Sequence, residues 1–242
     1  MASFVLVPGA WLGKWVWKRV APELESAGND VYPLTLPGLA DRANELAPYV
    51  GLMTHVNDVI QECRKLDLRN AVLVGHSYAG AVVGGVARRE PKLFRAQVYL
   101  DTMPLDEGKS FLDGFSPDGR KKFEAALIML KGTRVWPMPQ PLGDQAPVEG
   151  LSESDLELLR VRGTPHPART FEEPLQGPVE HAPYPKSHAI SCVEDENAAS
   201  LEKKDFLSHH PDWTYHSLPI CHWPMLSSPK DLASILLDIS EL

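Results

Sequence analysis

The sequence predicts an α/β fold, in which a mostly parallel sheet of about six strands is covered on both faces by helices. Short and nearly continuous apolar runs recur along the chain, among them "FVLV", "AVLVG" and "AQVYL". Segments with helical spacing of apolar residues lie between them, an alternation typical of parallel sheets. The length of 242 residues, with 43% hydrophobic residues, suits one core with an insertion.

Four of the predicted strands lie in the first part of the chain, at 3–7, 30–36, 70–75 and 96–101. Helices are predicted between them at 15–29, 52–66 and 78–90. We expect Pro22 to limit or kink the first helix and Gly28 to end it. The third helix stops before Pro91, because proline removes a backbone donor.

The segment 104–186 differs in character, because it holds many of the prolines, as in "WPMPQPLG" and "HAPYPK". Ser116 is predicted to begin a helix that Gly132 ends. Ser152, with an acid three residues later, resembles a capping box, and Gly163 ends that second helix. We therefore expect a helical, proline-rich lid inserted into a core formed by 1–103 and 187–242.

After the lid the alternation resumes, with strands predicted at 187–193 and 214–218. Helices are predicted at 198–209 and 228–239, the latter with Ser228 as its N-cap.

Composition excludes several classes of function. The formal net charge of −8 repels phosphate backbones, so a nucleic-acid partner is not expected. No apolar run approaches membrane-spanning length, and the N-terminus lacks the pattern of a signal peptide, which favours a cytoplasmic protein. The three cysteines, far apart and odd in number, are predicted to be buried thiols in a reducing compartment. No metal or cofactor is expected, and homodimerisation is compatible with the sequence.

The stretch "VLVGHSYAG" carries the clearest chemical signal. A strand, a tight turn with Ser77 at its apex and an immediate helix form the pattern of a nucleophile elbow. Such a sharp turn needs small neighbours, which accounts for Gly75, Ala79 and Gly80. The turn places the serine hydroxyl at the carboxyl edge of the sheet, beside a helix N-terminus that favours negative charge.

A serine hydroxyl needs a base, and the base needs an orienting acid. His222 lies in the loop "LPICHWPMLSSP" after the last predicted strand, at the same edge of the sheet as Ser77. Three acids end neighbouring strands. Asp195 is the first choice because it satisfies the chain order serine, acid, histidine, followed by Asp101 and then Glu194.

Acyl transfer also needs two donors for an oxyanion. We expect the backbone N–H of Tyr78 to be one and that of Ala10, in the loop "VPGAW", to be the other, with Trp11 as the alternative. An apolar cleft for substrate is predicted from the side chains of Trp11, Tyr78, Trp136 and Trp223, with Met129 or Met138 as filler.

The segments "FVLVPGAWLGKWVW", "LVGHSYAGAVV", "YLDTMPLDEG" and "CHWPMLSSPKDLASILLDI" together resemble the α/β-hydrolase superfamily. More closely, they resemble its small-lid branch of carboxylesterases, plant methyl-ester hydrolases and hydroxynitrile lyases. The resemblance implies an α/β-hydrolase fold, with Ser77 as nucleophile, His222 as base and Asp195 as acid. It also implies Ala10 and Tyr78 as the oxyanion donors.

Departures from the family pattern favour ester hydrolysis over other reactions of the family. Hydroxynitrile lyases carry lysine after the catalytic histidine and threonine in the oxyanion loop, where this chain has Trp223 and Gly9. Haloalkane dehalogenases carry aspartate in place of Ser77, and many relatives have His-Gly where this chain has Pro8-Gly9. We therefore predict a serine esterase for a small, neutral, fairly hydrophobic ester or lactone. Lyase chemistry, cofactor-free oxygenase chemistry and a non-catalytic small-ligand receptor are the alternatives.

Overall fold

The computed structural model describes residues 1–140, 142, 148–177, 185–192, 205–206 and 208–241. Its strands are, in chain order, Ser3–Val7 (β1), Asp30–Pro33 (β2), Ala71–His76 (β3), Phe94–Leu100 (β4), Ile128–Leu130 (β5), Thr133–Trp136 (β6), His166–Pro167 (β7), Lys186–Ser191 (β8) and Thr214–Ser217 (β9). Six of them form one sheet in the order β2-β1-β3-β4-β8-β9, with every pairing parallel. The predicted parallel α/β architecture is confirmed.

The described helices are Ala21–Ser26 (α1), Leu52–Lys65 (α2), Ala79–Arg89 (α3), Pro117–Ala126 (α4), Glu153–Arg162 (α5), Arg169–Glu172 (α6), Pro224–Ser227 (α7) and Pro229–Glu241 (α8). The helix predicted at 198–209 lies mostly outside the described residues. The helix predicted at 15–29 is divided into a 3-10 turn at Lys14–Trp17 and α1, which begins beside Pro22. Proline therefore starts a helix here, where its missing N–H costs nothing.

Two apolar cores lie on the two faces of the sheet. Along β1 and β3, alternate side chains enter different clusters: Val5 and Leu73 join one, whereas Phe4 and Val74 join the other. Alternation of this kind follows from the pleat of a strand. The first cluster also holds residues of α2, α3 and the lid, and the second holds residues of the 3-10 turn, α1 and α8. The sheet is thus buried on both sides, as the continuous apolar runs predicted.

The segment predicted to be a helical lid, 104–186, is not purely helical where it is described. Strands β5, β6 and β7 form a second, antiparallel sheet that the sequence analysis did not predict. The helix expected to reach Gly132 ends at Ala126, and the chain then forms a hairpin. Lys131 and Gly132 both have positive φ, at 49° and 73°, and form its two-residue turn. Gly132 is therefore a hairpin glycine and not a helix end.

The two predicted helix starts in the lid are confirmed. The Ser116 hydroxyl accepts a hydrogen bond from the backbone N–H of Gly119 at 3.0 Å. Ser152 and Asp155 form the reciprocal capping box that the sequence predicted. Each cap satisfies a backbone donor that would otherwise lack a partner in the first helical turn.

Parallel pairing brings the strand ends to one edge of the sheet. Val7 pairs with Gly75, His76 with Leu100 and Ser191 with Ser217, so β1, β3, β4, β8 and β9 all end close together. The order reverses between β1 and β3, and ligands of open α/β sheets bind at such a switch point.

None of the helices described is long and apolar enough to cross a membrane. Cys63 and Cys221 are buried as predicted, whereas Cys192 is only half-buried, and no disulfide joins any of the three described cysteines.

Candidate active site

The turn after β3 has the geometry of the predicted elbow. Ser77 has a φ of 52°, in the left-handed region, and its backbone N–H donates to the carbonyl of Leu100 at 3.0 Å. A Cβ atom added at Gly75 would lie 2.5 Å from Val83 Cγ2, and one at Gly80 would lie 2.6 Å from Thr102 Cγ2. Both distances are too short for a side chain, so glycine is required where β3 passes into α3.

His222 lies in the loop after β9 and is oriented by an acid. Its Nδ1–H donates to Asp101 Oδ2 at 2.5 Å, and the other carboxylate oxygen, Oδ1, accepts from the backbone N–H of Cys192 at 3.0 Å. Asp101 follows β4 directly, and its own N–H donates to the Ile190 carbonyl at 2.7 Å. The ladder of the sheet therefore holds the carboxylate in place, and Nε2 of His222 is left available for a reacting proton.

Among the described residues, the acid bonded to His222 is Asp101. Asp195, the first choice from the sequence, and Glu194, the third, lie outside the described residues. Asp101, the second choice, is the residue bonded to His222. Because Nδ1 carries one proton, this single hydrogen bond to Asp101 fixes the orientation of the imidazole ring in the structure.

The pKa of Asp101 is lowered by a balance of opposing effects. Burial is the strongest single influence and favours the neutral acid, but the hydrogen bond from His222, the charge of that imidazole and the Cys192 N–H outweigh it. The net result keeps Asp101 ionised at neutral pH. An ionised carboxylate at this position stabilises an imidazolium when one forms.

His222 lies close to the elbow, but no hydrogen bond joins it to Ser77 among the described residues. The ring of His76, the residue before Ser77, lies 4.7 Å from the ring of His222 between centroids. In the part of the chain that the structure describes, Ser77 Oγ makes no hydrogen bond to His222. Serine–histidine contacts are often long in unliganded enzymes and tighten when substrate binds.

His76 supports the histidine loop, a role that the sequence analysis did not predict. Its Nε2–H donates to the carbonyl of His222 at 2.7 Å. Burial, reinforced by the neighbouring His222, lowers the pKa of His76 to about 3, so the ring stays neutral. The position beside the elbow serine was the only sequence signal for this contact.

Two backbone N–H groups at or near the elbow have no hydrogen-bond partner among the described residues. Neither Ala10 N–H nor Tyr78 N–H donates to any group among the described residues. A Cβ atom at Gly9 would lie 2.7 Å from His76 Nδ1 and 3.1 Å from Ser77 Cβ, so the loop after β1 closely approaches the elbow. The alternative donor, Trp11, is engaged, because its N–H donates to His166 Nδ1 at 3.1 Å.

Only some of the aromatic side chains predicted to line a substrate cleft lie together in the structure. Trp11 and Trp136 pack edge to face, with ring centroids 4.9 Å apart. Trp223 is 3% exposed, packs against the ring of His222 and belongs to the core on the other face of the sheet. The side chain of Tyr78 is fully buried, and its O–H donates to His55 Nδ1 at 2.9 Å. Trp223 and Tyr78 are therefore core residues next to the site.

Three non-glycine residues at this edge of the sheet have a left-handed backbone conformation. Trp11, Ser77 and Asp101 have φ values of 65°, 52° and 50°, which non-glycine residues seldom adopt. Each lies just after a different strand, namely β1, β3 and β4. Clusters of such residues are typical of functional sites.

Among the residues that the structure describes, no group of three or more His, Cys, Asp and Glu side chains could hold a metal ion.

Comparison with known proteins agrees with the geometry. The family model described as "Alpha/beta hydrolase family" matches residues 4–235. A carbendazim hydrolyzing esterase of Nocardioides sp. strain SG-4G is 41% identical over 112 residues, which cover 46% of this chain and 46% of that protein. The chain also covers 56% of an Arabidopsis thaliana chloroplast protein named as a candidate methylesterase, so it spans about half the length of these relatives.

One relative is matched over nearly its whole length. Polyneuridine aldehyde esterase of Rauvolfia serpentina is 27% identical over 263 residues, covering 98% of this chain and 95% of that protein. A crystal structure of polyneuridine aldehyde esterase has the same fold, with a TM-score of 0.75 at 21% identity and 99% of both chains covered. The chain therefore belongs to the alpha/beta hydrolase family, and these relatives within the family carry esterase names.

Proposed function

We propose that this protein is a serine hydrolase that cleaves small, neutral, fairly hydrophobic carboxylic esters through Ser77, His222 and Asp101. The observation that carries the proposal is the 2.5 Å hydrogen bond from His222 Nδ1 to Asp101, beside the strained elbow of Ser77. A fixed Nδ1–H leaves Nε2 as the basic atom of the ring. That is the arrangement that a serine hydroxyl needs in order to lose its proton.

The first half of the reaction acylates Ser77. His222 Nε2 takes the hydroxyl proton as Oγ bonds to the ester carbonyl carbon, and the carbonyl π electrons move to the oxygen. The N–H groups of Ala10 and Tyr78 stabilise this oxyanion. When the carbonyl reforms, the bond to the alcohol oxygen breaks, and the imidazolium gives its proton to the departing alcohol.

The second half releases the acid. Water takes the place of the alcohol and gives a proton to His222 as its oxygen attacks the acyl-enzyme. The second tetrahedral intermediate uses the same two N–H donors. It collapses by breaking the bond to Ser77 Oγ, which recovers its proton from His222. No group beyond ester and water is consumed.

A neutral substrate is the better match for these residues. Among the described residues, no lysine or arginine forms an ion pair with Asp101 or a hydrogen bond with Ser77 or His222. In the described part of the chain, a carboxylate-bearing substrate would thus find no cation held by these three residues. The names of the relatives direct the first choice to methyl esters, since a candidate methylesterase and two esterases are among them.

The proposal is tested by labelling and turnover in the same preparation. The protein is treated with a fluorophosphonate, digested and mapped, and it is assayed with methyl, ethyl and p-nitrophenyl esters of short neutral acids. We expect the label on Ser77, ester turnover in the wild type, and neither in Ser77→Ala. Circular dichroism of the variant checks that the fold is retained.

Other outcomes would select the alternatives. Labelling of Ser77 without turnover of any ester would favour lyase chemistry or a ligand receptor. Folded wild-type protein that resists the fluorophosphonate would mean that Ser77 is not activated, and it would refute the proposal.

A further inference from the structure

Trp11, the residue after the proposed oxyanion donor Ala10, forms three hydrogen bonds with residues of the lid. Trp11 N–H donates to His166 Nδ1 at 3.1 Å, and its carbonyl accepts from Thr164 N–H at 2.9 Å. Its indole N–H donates to the Trp136 carbonyl at 3.0 Å. The backbone and side-chain polar groups of Trp11 thus all bond to residues more than a hundred positions later in the chain.

These bonds act on a strained turn. The Leu12 N–H donates weakly to the Gly9 carbonyl at 3.4 Å, which closes a four-residue turn with Trp11 in third place. Trp11 has a φ of 65°, and a positive φ at that place is typical of a type II turn. Rotation of the Ala10–Trp11 peptide would relieve the strain, but it would also turn the Trp11 N–H away from His166. The lid contact therefore selects the strained form.

The chemistry of His166 fits an acceptor at Nδ1. Because Nδ1 accepts from Trp11, the ring proton must lie on Nε2. The ring is fully buried among aromatic side chains, with Tyr78 and Phe171 at centroid distances of 4.7 Å and 5.0 Å. Burial keeps the pKa of His166 well below its usual range, so the neutral form is retained.

The second ring nitrogen of His166, Nε2, differs from Nδ1 in its hydrogen bonding. In the described part of the chain, Nε2 is buried without a hydrogen-bond partner. A buried donor without an acceptor is unfavourable, and phenylalanine would fill the same space without that penalty. The hydrogen bond that Nδ1 accepts from the Trp11 N–H thus offsets the unfavourable burial of Nε2–H.

We propose that His166 is a positioning residue, which acts from the lid to fix the Gly9–Leu12 turn so that Ala10 N–H faces the substrate oxygen. The proposal rests on the proposed function for its kinetic consequence, but the contact itself can be measured without substrate. It makes the lid part of the machinery that stabilises the oxyanion. A lid residue is thereby coupled to the rate of the chemical step as well as to substrate fit.

Three variants separate this role from simple packing. His166→Phe keeps the ring and removes the acceptor, whereas His166→Asn places an amide oxygen close to the position of Nδ1. Phe123→Leu is the control, because Phe123 is buried in the same lid and packs on Trp136 and Phe171, away from Trp11. For each variant, kcat and KM are measured with one ester, Tm is measured by calorimetry, and the Trp11 amide exchange rate is measured by NMR.

We expect His166→Phe to lower kcat by about 10- to 100-fold with little change in KM, because an interaction of the transition state is weakened. Its Trp11 amide should exchange at least about 10-fold faster than in the wild type. His166→Asn should recover most of kcat and the slow exchange. Phe123→Leu should lower Tm while kcat and the exchange rate stay close to those of the wild type.

Wild-type kcat in His166→Phe, or an equal loss of kcat in Phe123→Leu, would overturn the positioning role. Absence of ester turnover in the wild type would instead refute the proposed function. In that case, slow Trp11 exchange in the wild type and fast exchange in His166→Phe would still establish that His166 holds the turn.

Discussion

In the proposed mechanism, the charge of a single residue, Asp101, determines whether His222 can act as a base. Its carboxylate accepts one hydrogen bond from His222 and one from the Cys192 N–H. Each carboxylate oxygen is held by its own hydrogen bond, which opposes rotation of the carboxylate away from the imidazole. A neutral amide at this position could present its own N–H to Nδ1 and force the proton of the ring onto Nε2. The ring would then be unable to act as a base.

Asp101→Asn should therefore lower kcat by about 10³- to 10⁴-fold with the fold intact. The matched control is Asp195→Asn, the residue that the sequence favoured, which should keep kcat within a few-fold of the wild type. Steady-state kinetics with a p-nitrophenyl ester measures both, and circular dichroism verifies folding. A larger loss in Asp195→Asn than in Asp101→Asn would return the acid role to Asp195.

The sequence alone could rank these acids but could not choose between them. Asp101 and Asp195 both follow an apolar run, and both precede His222 in the chain. The choice depends on how far His222 reaches across the strand ends, which is set by the register between β4, β8 and β9. Ser77 and His222 needed no such information to become candidates, because the elbow pattern and the last loop are local features of the sequence.

At the scale of elements, the loop after β1 and the elbow after β3 are packed too closely for a side chain at Gly9. Gly9→Ala should lower kcat about 100-fold, because its Cβ would lie 2.7 Å from His76 Nδ1 and would push the oxyanion loop outward. Gly114→Ala is the control, since a Cβ there meets nothing within 4 Å. Kinetics and Tm are compared for both. Equal kcat in the two variants would show that the contact does not position the loop.

The lid hairpin shows where prediction of elements from sequence failed. The residues after α4, Ile128, Met129 and Leu130, continue the helix without a breaker until Gly132, so a helix was the natural prediction. In the structure all three are exposed, with Met129 65% exposed. What turns the chain is pairing with β6, whose Val135 and Trp136 pack into the core. Such tertiary pairing overrides local propensity and cannot be inferred from spacing.

The hairpin turn offers a stabilising substitution. Lys131 adopts a φ of 49° before Gly132, and asparagine tolerates that conformation better than lysine. Lys131→Asn should raise the free energy of unfolding by about 0.5–1 kcal/mol without changing kcat. Lys131→Gln, which removes the charge but has no such preference, should not. Urea unfolding measures the three proteins, and equal stability of the two variants would contradict the turn argument.

At the scale of the whole molecule, strand order gathers the site from distant parts of the sequence. Residues 9–11, 77–78, 101 and 222 meet because parallel strands end at one edge, on either side of the point where the order reverses. The alternation of strands and helices was sufficient to predict this edge. It could not predict the contacts of the lid with Trp11, because these join segments that share no periodic pattern.

The same fold buries several histidines in their neutral form. Burial lowers the pKa of His55 to about 4, that of His76 to about 3 and that of His188 to about 4, and it holds the pKa of His166 well below its usual range. An unfolded histidine has a pKa of about 6.5. Between pH 6.5 and 4 the unfolded chain therefore binds protons that the folded chain does not. The free energy of unfolding falls as pH is lowered through this window.

We expect each of these histidines to contribute up to about 1.4 kcal/mol per pH unit to that fall. Urea unfolding at pH 7, 6 and 5 measures the slope. His55→Gln should reduce the slope by about one such contribution, since the amide keeps a donor for the Pro37 carbonyl, to which His55 Nε2–H donates at 2.9 Å, but takes up no proton. Stability that stays level from pH 7 to 5, or a slope that His55→Gln does not change, would mean that these rings are protonated in the folded protein.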